Sequence, residues 1–110
     1  MSLSALGSGL SGMQAFQTAL NSSANNVANM DTNGFQPQTV DFQSGTNGGV
    51  NVALSAPSAP QSAVAANAPS GTDYATEAVN SMQYKFGFDM SAQVVKTADQ
   101  TLGTLINITA

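Results

Sequence analysis

The first residues in this sequence whose types and spacing could do chemistry are three glycines near its N-terminus. Gly7, Gly9 and Gly12 have the G-x-G-x-x-G spacing of loops that hold the pyrophosphate of a dinucleotide. Such a loop must follow a β-strand, and only six residues precede Gly7. We therefore interpret the three glycines as positions that allow close packing of a helix.

The acidic residues are the other candidates for chemistry. Asp73 and Glu77 are one helical turn apart, and Asp89 lies four residues after Lys85. Negative charge stabilises the start of a helix, which explains Asp73 and Glu77 better than acid–base catalysis does. Lys85 and Asp89 fit a weak surface ion pair. The sequence has no His, and no nucleophile has a base beside it in sequence, so we predict that the protein is not an enzyme.

The composition argues against several further classes of function. The 110 residues include no Cys, and the absence of both Cys and His removes disulfides, thiol chemistry and the commonest zinc ligands. We therefore predict no metal and no cofactor. Two basic residues against six acidic ones give a net charge of −4, so we expect no basic surface that binds nucleic acid or anionic lipid.

Neither a membrane span nor a secretory signal is expected. No apolar run approaches the ~20 residues needed to cross a bilayer. The N-terminus lacks the basic n-region of a secretory signal, and its glycines interrupt any apolar h-region. The sequence thus predicts no membrane insertion and no cleaved signal peptide.

Residues 1–30 are predicted to form a long helix. Their apolar side chains recur at alternating steps of three and four residues, which is the spacing of a coiled-coil seam. The first charged residue of the chain is Asp31, so this helix lacks the charged outer face that is typical of a solvated helix. The seam consists of Leu3, Leu6, Leu10, Met13, Gln17, Leu20, Ala24 and Val27.

A turn rich in Asn, Asp and Gly is predicted to end this helix. Asn and Gly tolerate positive φ, and Asp and Thr side chains compete for backbone donors, so the turn should also aim the next segment. Its asparagines are either helix-ending signals or residues that form amide hydrogen bonds in packing and intersubunit contacts, and both interpretations stay open. The predicted exit-turn residues are Asn25, Asn26, Asn29, Thr32, Asn33, Gly34 and Phe35.

The middle of the chain is predicted to be extended and then flexible. Residues 31–54 contain the exit turn and two segments, 39–43 and 50–54, in which apolar and polar residues alternate around a set of turn residues. This pattern predicts a short β-hairpin. Residues 55–71 are rich in Ala, Ser and Pro and predict a flexible linker.

Residues 72–110 are predicted to form a second long helix. Thr72 or Asp73 can cap its start, and the helix should run to about Asn107. The two terminal helices should pair as an antiparallel coiled-coil hairpin, so the predicted fold is mainly α. The apolar seam of the second helix rotates midway and contains Val79, Met82, Phe86, Met90, Val94, Val95, Ala98, Leu102 and Leu105.

The apolar side chains exceed what two paired helices can bury, which predicts an assembly surface. Within the chain we expect Leu6, Leu10 and Met13 to bury against Leu102 and Leu105. The uncharged flanks should pack on neighbouring subunits. The predicted assembly interface comprises Leu3, Leu6, Leu10, Met13, Phe16, Leu20, Val27, Met82, Phe86, Met90, Val94, Ala98, Leu102, Leu105 and Ile106.

Several short motifs stand at the two ends of the chain. The N-terminal part has Leu10-Ser11-Gly12-Met13-Gln14-Ala15, Asn25-Asn26-Val27-Ala28-Asn29 and Thr32-Asn33-Gly34-Phe35, and the C-terminal part has Met82, Phe88-Asp89-Met90, Val95-Lys96-Thr97-Ala98-Asp99 and Leu102-Gly103-Thr104-Leu105-Ile106. Together these motifs resemble the bacterial flagellar axial proteins of the rod and hook, and most of all a short proximal rod protein. The family typically has Pro where this sequence has Asn33.

The resemblance implies a structural function. In that family the terminal helices pack together in the inner layer of a helical tube, so we expect the chain to assemble with itself and with other flagellar axial proteins. The resemblance also implies export by the flagellar type III apparatus without signal cleavage, and a location in the basal body. A non-polymerising helical-hairpin adaptor or export chaperone is the alternative, although a soluble adaptor would need more charge at its ends.

Overall fold

Two long helices and a β-hairpin make up the computed structural model of the chain, which describes residues 2–55 and 67–109. The helices are α1, Ser2–Ala28, and α2, Tyr74–Thr109, and the strands are β1, Thr39–Ser44, and β2, Val50–Ser55. The helices lie side by side in opposite directions, in a molecule that measures 67 × 23 × 15 Å. The predicted fold class is confirmed. Neither helix in the described part of the chain is apolar enough to cross a membrane.

The start of α2 follows from a side-chain cap. The Asp73 carboxylate accepts hydrogen bonds from the Ala75 N–H at 3.1 Å and from the Thr76 hydroxyl at 3.0 Å. Such bonds satisfy donors that the first turn of a helix leaves without partners, so the helix begins directly after Asp73. Residues 56–66 of the predicted linker lie outside the described residues.

The two strands pair in antiparallel register, from Thr39 opposite Ser55 to Ser44 opposite Val50. A turn of 3₁₀ helix, Thr46–Gly48, joins them, with Asn47 at φ 54° and Gly48 at φ 78°. Positive φ is tolerated best by Asn and Gly, which explains why the chain reverses there.

The hairpin is bound to α1 along its length. The Ser8 hydroxyl donates to the Asn47 carbonyl at 3.1 Å, and the Val50 N–H donates to Ser11 Oγ at 3.0 Å. On the strand, the Phe42 ring lies between those of Phe16 and Tyr84, with centroid separations of 5.1 and 5.7 Å. The aromatic contacts join the hairpin to both helices.

Small residues form the contact between α1 and α2. Ala15, Ala19 and Ala98 are the buried hydrophobic residues among those described. A Cβ atom added to Gly9 would lie 2.6 Å from Val95 Cγ2, and one added to Gly87 would overlap the Phe16 ring. Gly9, Gly12 and Gly87 therefore permit a close approach of the helices, whereas a Cβ added to Gly7 would have no neighbour within 4 Å. The interpretation of the N-terminal glycines holds for Gly9 and Gly12 and not for Gly7.

The expectation that the Leu and Met seams bury against each other within the chain is wrong for Leu10 and Leu105. Leu10 is 53% exposed and Leu105 is 52% exposed, while Leu6, Met13 and Leu102 are half-buried. The residues that α1 turns inward lie at neighbouring helical positions and are glycine, alanine, serine and asparagine. Helical periodicity located the apolar face correctly but did not show whether that face packs inside one chain.

Candidate assembly surface

One face of α1 presents large apolar side chains to the surroundings. We define the α1 stripe as Leu3, Leu6, Leu10 and Met13. Leu3 is 77% exposed and Leu10 is 53% exposed, and the other two are half-buried, as are Leu20 and Val27 farther along the same face. With about 100° per residue, Leu10 lies roughly 200° around the helix from Ser8. Because Ser8 contacts the hairpin, Leu10 lies on the side away from it, whereas Leu3 at the start of the stripe lines a cleft with Thr46 and Asn47 of the hairpin tip.

A second apolar face runs along α2. We define the α2 stripe as Val79, Met82, Phe86, Met90 and Val94, all of which are exposed. Met82 and Phe86 are the most exposed of the five, at 70% and 67%. Contiguous apolar surface of this kind usually marks an interaction site. Most of these residues were predicted as interface, and Val79 belongs with them because it precedes Met82 by three residues.

The remaining predicted interface residues divide into two groups. Ala98 is buried and Phe16 is half-buried against the Gly87 backbone, so both take part in contacts within the chain. Leu105 and Ile106 are exposed near the end of α2, and Leu102 is half-buried. The predicted interface is therefore partly intramolecular.

An open groove of about 540 Å³ lies between the first turns of α1 and the C-terminal half of α2. Small residues such as Ala5 and Ala98 line it together with the larger Met90 and Val94, and no charged residue does so. We call this feature the α2 groove. Its full lining is Ala5, Met90, Gln93, Val94, Thr97, Ala98 and Thr101.

At the opposite end of the helix pair, a cluster of buried and half-buried polar side chains joins three parts of the chain. We call it the exit junction and define it as Ser22, Ser23, Asn26, Gln38 and Glu77. Ser23 Oγ donates to the Glu77 carboxylate at 2.6 Å and lies 2.9 Å from Ser81 Oγ. Because a hydroxyl has one proton, the Ser81 hydroxyl is the donor in the second contact. The carboxylate thus links α1 to α2.

Asn26 has the most completely satisfied side chain of the junction. Its Nδ2 donates to the Gln38 carbonyl at 2.9 Å and to Glu77 Oε1 at 3.0 Å, and its Oδ1 accepts from the Gln38 N–H at 2.9 Å. The Ser22 hydroxyl donates to Gln38 Oε1 at 3.0 Å. Asn26 is 1% exposed, so its amide replaces the hydrogen bonds that water would otherwise supply.

Glu77 lies in the first turn of α2, as its interpretation as a helix-start charge requires, and the interpretation of Asp73 as a cap is confirmed. Glu77 is 8% exposed, and its carboxylate accepts hydrogen bonds from α1. Burial, and secondarily the charge of Glu77, raise the pKa of the Tyr84 phenol above its ordinary value. The sequence signal for this cluster was the spacing of Ser23 and Asn26, which puts two polar side chains on one face of an uncharged helix.

The exit turn itself is a type II β-turn. The Phe35 N–H donates to the Thr32 carbonyl at 3.2 Å, and Gly34 has φ 77°. Among the described residues other than glycine, only Asn47 has positive φ, so Asn33 occupies the first central position with negative φ. Asn25, Thr32 and Asn33 are exposed, while Asn29, Gly34 and Phe35 are half-buried.

Two backbone hydrogen bonds connect the exit turn to the residues before α2. The Gly34 N–H donates to the Ala68 carbonyl at 2.7 Å, and the Gly71 N–H donates to the Phe35 carbonyl at 2.9 Å. Asn29 Nδ2 donates back to the Asn25 carbonyl at 2.9 Å. The turn that leaves α1 therefore also positions the approach to α2.

Comparison with known families assigns both ends of the chain. Residues 6–36, which include most of α1 and the exit turn, match the family model described as "Flagella basal body rod protein". Residues 69–108, which include nearly all of α2, match that described as "Flagellar basal body rod FlgEFG protein C-terminal". No curated protein matches the chain. With both terminal regions matched, the chain belongs to the flagellar rod and hook axial protein family and is a structural component of the flagellar basal body.

Proposed function

We propose that this protein assembles with copies of itself, through its two terminal helices, into a helical tube of the flagellar rod or hook. The observation that carries the proposal is the outward direction of the large apolar side chains on α1 and α2. A single chain leaves both stripes in water, where each exposed apolar side chain forgoes stabilisation of the order of 1 kcal/mol or more. Neighbouring subunits would cover them.

The weak core of the single chain supports coupled folding and assembly. The buried hydrophobic residues among those described are all alanines, which contribute little hydrophobic stabilisation. Terminal helices of this composition gain their remaining burial from neighbours and lose conformational freedom at that step. Assembly then supplies the apolar burial that a single chain lacks.

Family membership supports the rest of the proposal. The protein associates with other flagellar components in the basal body, and we propose that its neighbours are other axial proteins. We further propose that the flagellar type III apparatus exports the chain without cleaving a signal peptide. The proposed role is structural and includes neither a catalytic step nor a cofactor.

Deletion of residues Met1 to Leu20 tests the proposal most directly. The deletion removes the α1 stripe and should abolish incorporation into basal bodies and motility. Export of the truncated chain, measured in the culture medium, separates failed assembly from failed secretion. Normal motility of cells with this deletion would overturn the proposal.

A pair of neighbouring residues on α2 provides a matched comparison. Phe86→Ser removes the centre of the α2 stripe and should lower incorporation strongly, whereas Lys85→Ser changes an exposed side chain outside the stripe and should leave it unchanged. Equal incorporation of both variants would contradict the proposed interface. Light scattering of the purified chain that shows only a stable monomer at all concentrations would favour the helical-hairpin adaptor or export chaperone instead.

A further inference from the structure

We propose that the α1 stripe of one copy docks into the α2 groove of the next, with Leu3, Leu6 and Leu10 as the inserted side chains. This inference rests on the proposed function, because it specifies which two surfaces of neighbouring copies meet. Five features of the molecule support it: the groove's lining, its shape, its length, the absence of charge, and the placement of the two surfaces.

The α2 groove has the shape of a receptor for aliphatic side chains. Its floor includes Ala98, which is buried against α1, and its wall includes Met90 and Val94, which are both exposed. Small residues flanked by larger apolar ones create the holes that leucine side chains fill in helix packing. The groove lies between the two helices, since Ala5 of α1 and Ala98 of α2 both line it.

The α1 stripe matches the groove in charge and length. No ionisable side chain occurs in α1, and none lines the groove, so the contact buries no unpaired charge. From Leu3 to Leu10 the stripe rises about 10 Å, and from Met90 to Thr101 the groove extends about 16 Å at 1.5 Å per residue. The groove can therefore accept all three leucines.

The positions of the two surfaces make the contact directional. Val94 lies about five helical turns from Thr76, at the same position around α2. Thr76 lines a cleft together with Thr39 and Val40 of the hairpin, so the groove opens on the hairpin side of the helix pair. Leu6 and Leu10 of the α1 stripe lie on the other side, roughly 160–200° around α1 from Ser8, which contacts the hairpin.

A closed two-fold dimer would need the stripe and the groove on one side of the molecule. Because they lie on opposite sides, each docked copy leaves a free groove at one surface and a free stripe at the other. Such heterologous contacts repeat from copy to copy, and they build a filament where the rotation between copies does not close a ring. The same geometry gives the filament a fixed polarity.

Engineered cysteines test the inference cleanly, since the sequence contains no Cys. Two differently tagged full-length chains, one with Leu10→Cys and the other with Val94→Cys, are produced together, and basal bodies are isolated under mild oxidation. We expect a disulfide between the two tagged chains. The matched control replaces Val94→Cys with Lys96→Cys, which lies roughly 200° around α2 and should give at least about tenfold less of the mixed product.

Equal cross-linking of the Val94→Cys and Lys96→Cys chains, or a product formed only between two Val94→Cys chains, would overturn the inference. In both cases the presence of many copies in the basal body would leave the proposed function standing. Absence of the unsubstituted chain from basal bodies would instead refute the proposed function itself.

A charge-pair variant keeps the inference testable where cysteine variants fail to assemble. Leu10→Asp or Val94→Lys alone should reduce incorporation about tenfold or more, because each buries an unpaired charge at the contact. The two substitutions in one chain should restore incorporation, since the stripe of one copy would then pair with the groove of the next. A double variant as impaired as the single ones would contradict the proposed docking.

Discussion

The two ends of the helix pair are stabilised by different kinds of interaction. At the exit junction, Ser23, Asn26 and Glu77 are buried and joined by short hydrogen bonds between α1 and α2. At the open end, where the first turns of α1 meet the C-terminal half of α2, the contact consists of small residues, and Leu3 and Leu10 remain exposed. One end is complete within a single chain, and the other presents surface to be covered.

The difference indicates a division of roles. Buried polar groups with every partner in place fix a unique geometry, because any other arrangement leaves a donor or acceptor unsatisfied. The hydrophobic effect is not directional, so burial of apolar surface stabilises the contact with any neighbour that covers it. The exit junction therefore determines the geometry of the subunit, while the open end provides affinity for other subunits.

The largest expected effect on stability comes from Asn26→Ala. The substitution removes three hydrogen bonds and leaves Glu77 Oε1 and the main-chain N–H and carbonyl of Gln38 without their Asn26 partner, which should lower the free energy of unfolding by about 3 kcal/mol. Urea denaturation followed by circular dichroism measures this change. Asn25→Ala, at the neighbouring exposed position, is the control and should change stability by less than about 0.5 kcal/mol. Equal losses of stability in the two variants would contradict the idea that the exit junction, and not the exposed surface, determines the geometry of the subunit.

A somewhat smaller loss of stability is expected for Gly87→Ala, which lies midway between the two ends of the helix pair. The added Cβ would overlap the Phe16 ring, and overpacking of this kind costs about 2 kcal/mol. Combination with Phe16→Ala should relieve the overlap, so the double variant should lose less than the sum of the single ones. Gly103→Ala, where no atom lies within 4 Å of the added Cβ, should instead stabilise α2 by up to about 1 kcal/mol.

The helix boundaries and the hairpin could be predicted from the sequence because local signals determine them. Asp73 caps α2 where a capping residue was expected. Asn47 and Gly48 supply the positive φ angles of the hairpin tip, and the alternation of Val40 with Phe42 matches the strand. These features depend on residues a few positions apart, which a sequence displays directly.

The packing partners could not be predicted in the same way. Apolar periodicity marked Leu10 and Leu105 as buried, but it does not distinguish a core within one chain from a contact between chains. The contact of Phe16 with Gly87 joins residues far apart in sequence, so the neighbouring residues give no sign of why a glycine stands inside α2. Glu77 likewise carried no local sign that Ser23 and Asn26 would surround it.

Asn33→Pro should produce a modest gain in stability and so sharpen the account of the exit turn. Asn33 is at the first central position of a type II turn, where Pro is common, and among the described residues its N–H makes no hydrogen bond. Pro should therefore restrict the unfolded chain and raise the free energy of unfolding by about 0.5 kcal/mol. Thermal unfolding measures the gain. A loss of helical signal would show that the turn does not accept the residue typical of the family.

The smallest effect on stability is expected for Leu10→Ala at the open end. A buried leucine costs about 2–5 kcal/mol when truncated to alanine, but Leu10 is exposed in the single chain, so its truncation should change the free energy of unfolding by less than about 0.5 kcal/mol. Incorporation into basal bodies should fall all the same. A large loss of stability in the purified chain would indicate that Leu10 belongs to the intrachain core.

The lack of ionisable side chains in α1 has a consequence for the conditions in which its contacts hold. Counter-ions screen attractions between charges, and α1 has no charged side chain to be screened. Salts that are excluded from protein surfaces strengthen the burial of apolar groups. Contacts made by the α1 stripe should therefore tighten as such salts are added, and its side chains, which have no titratable proton, give those contacts no pH dependence of their own.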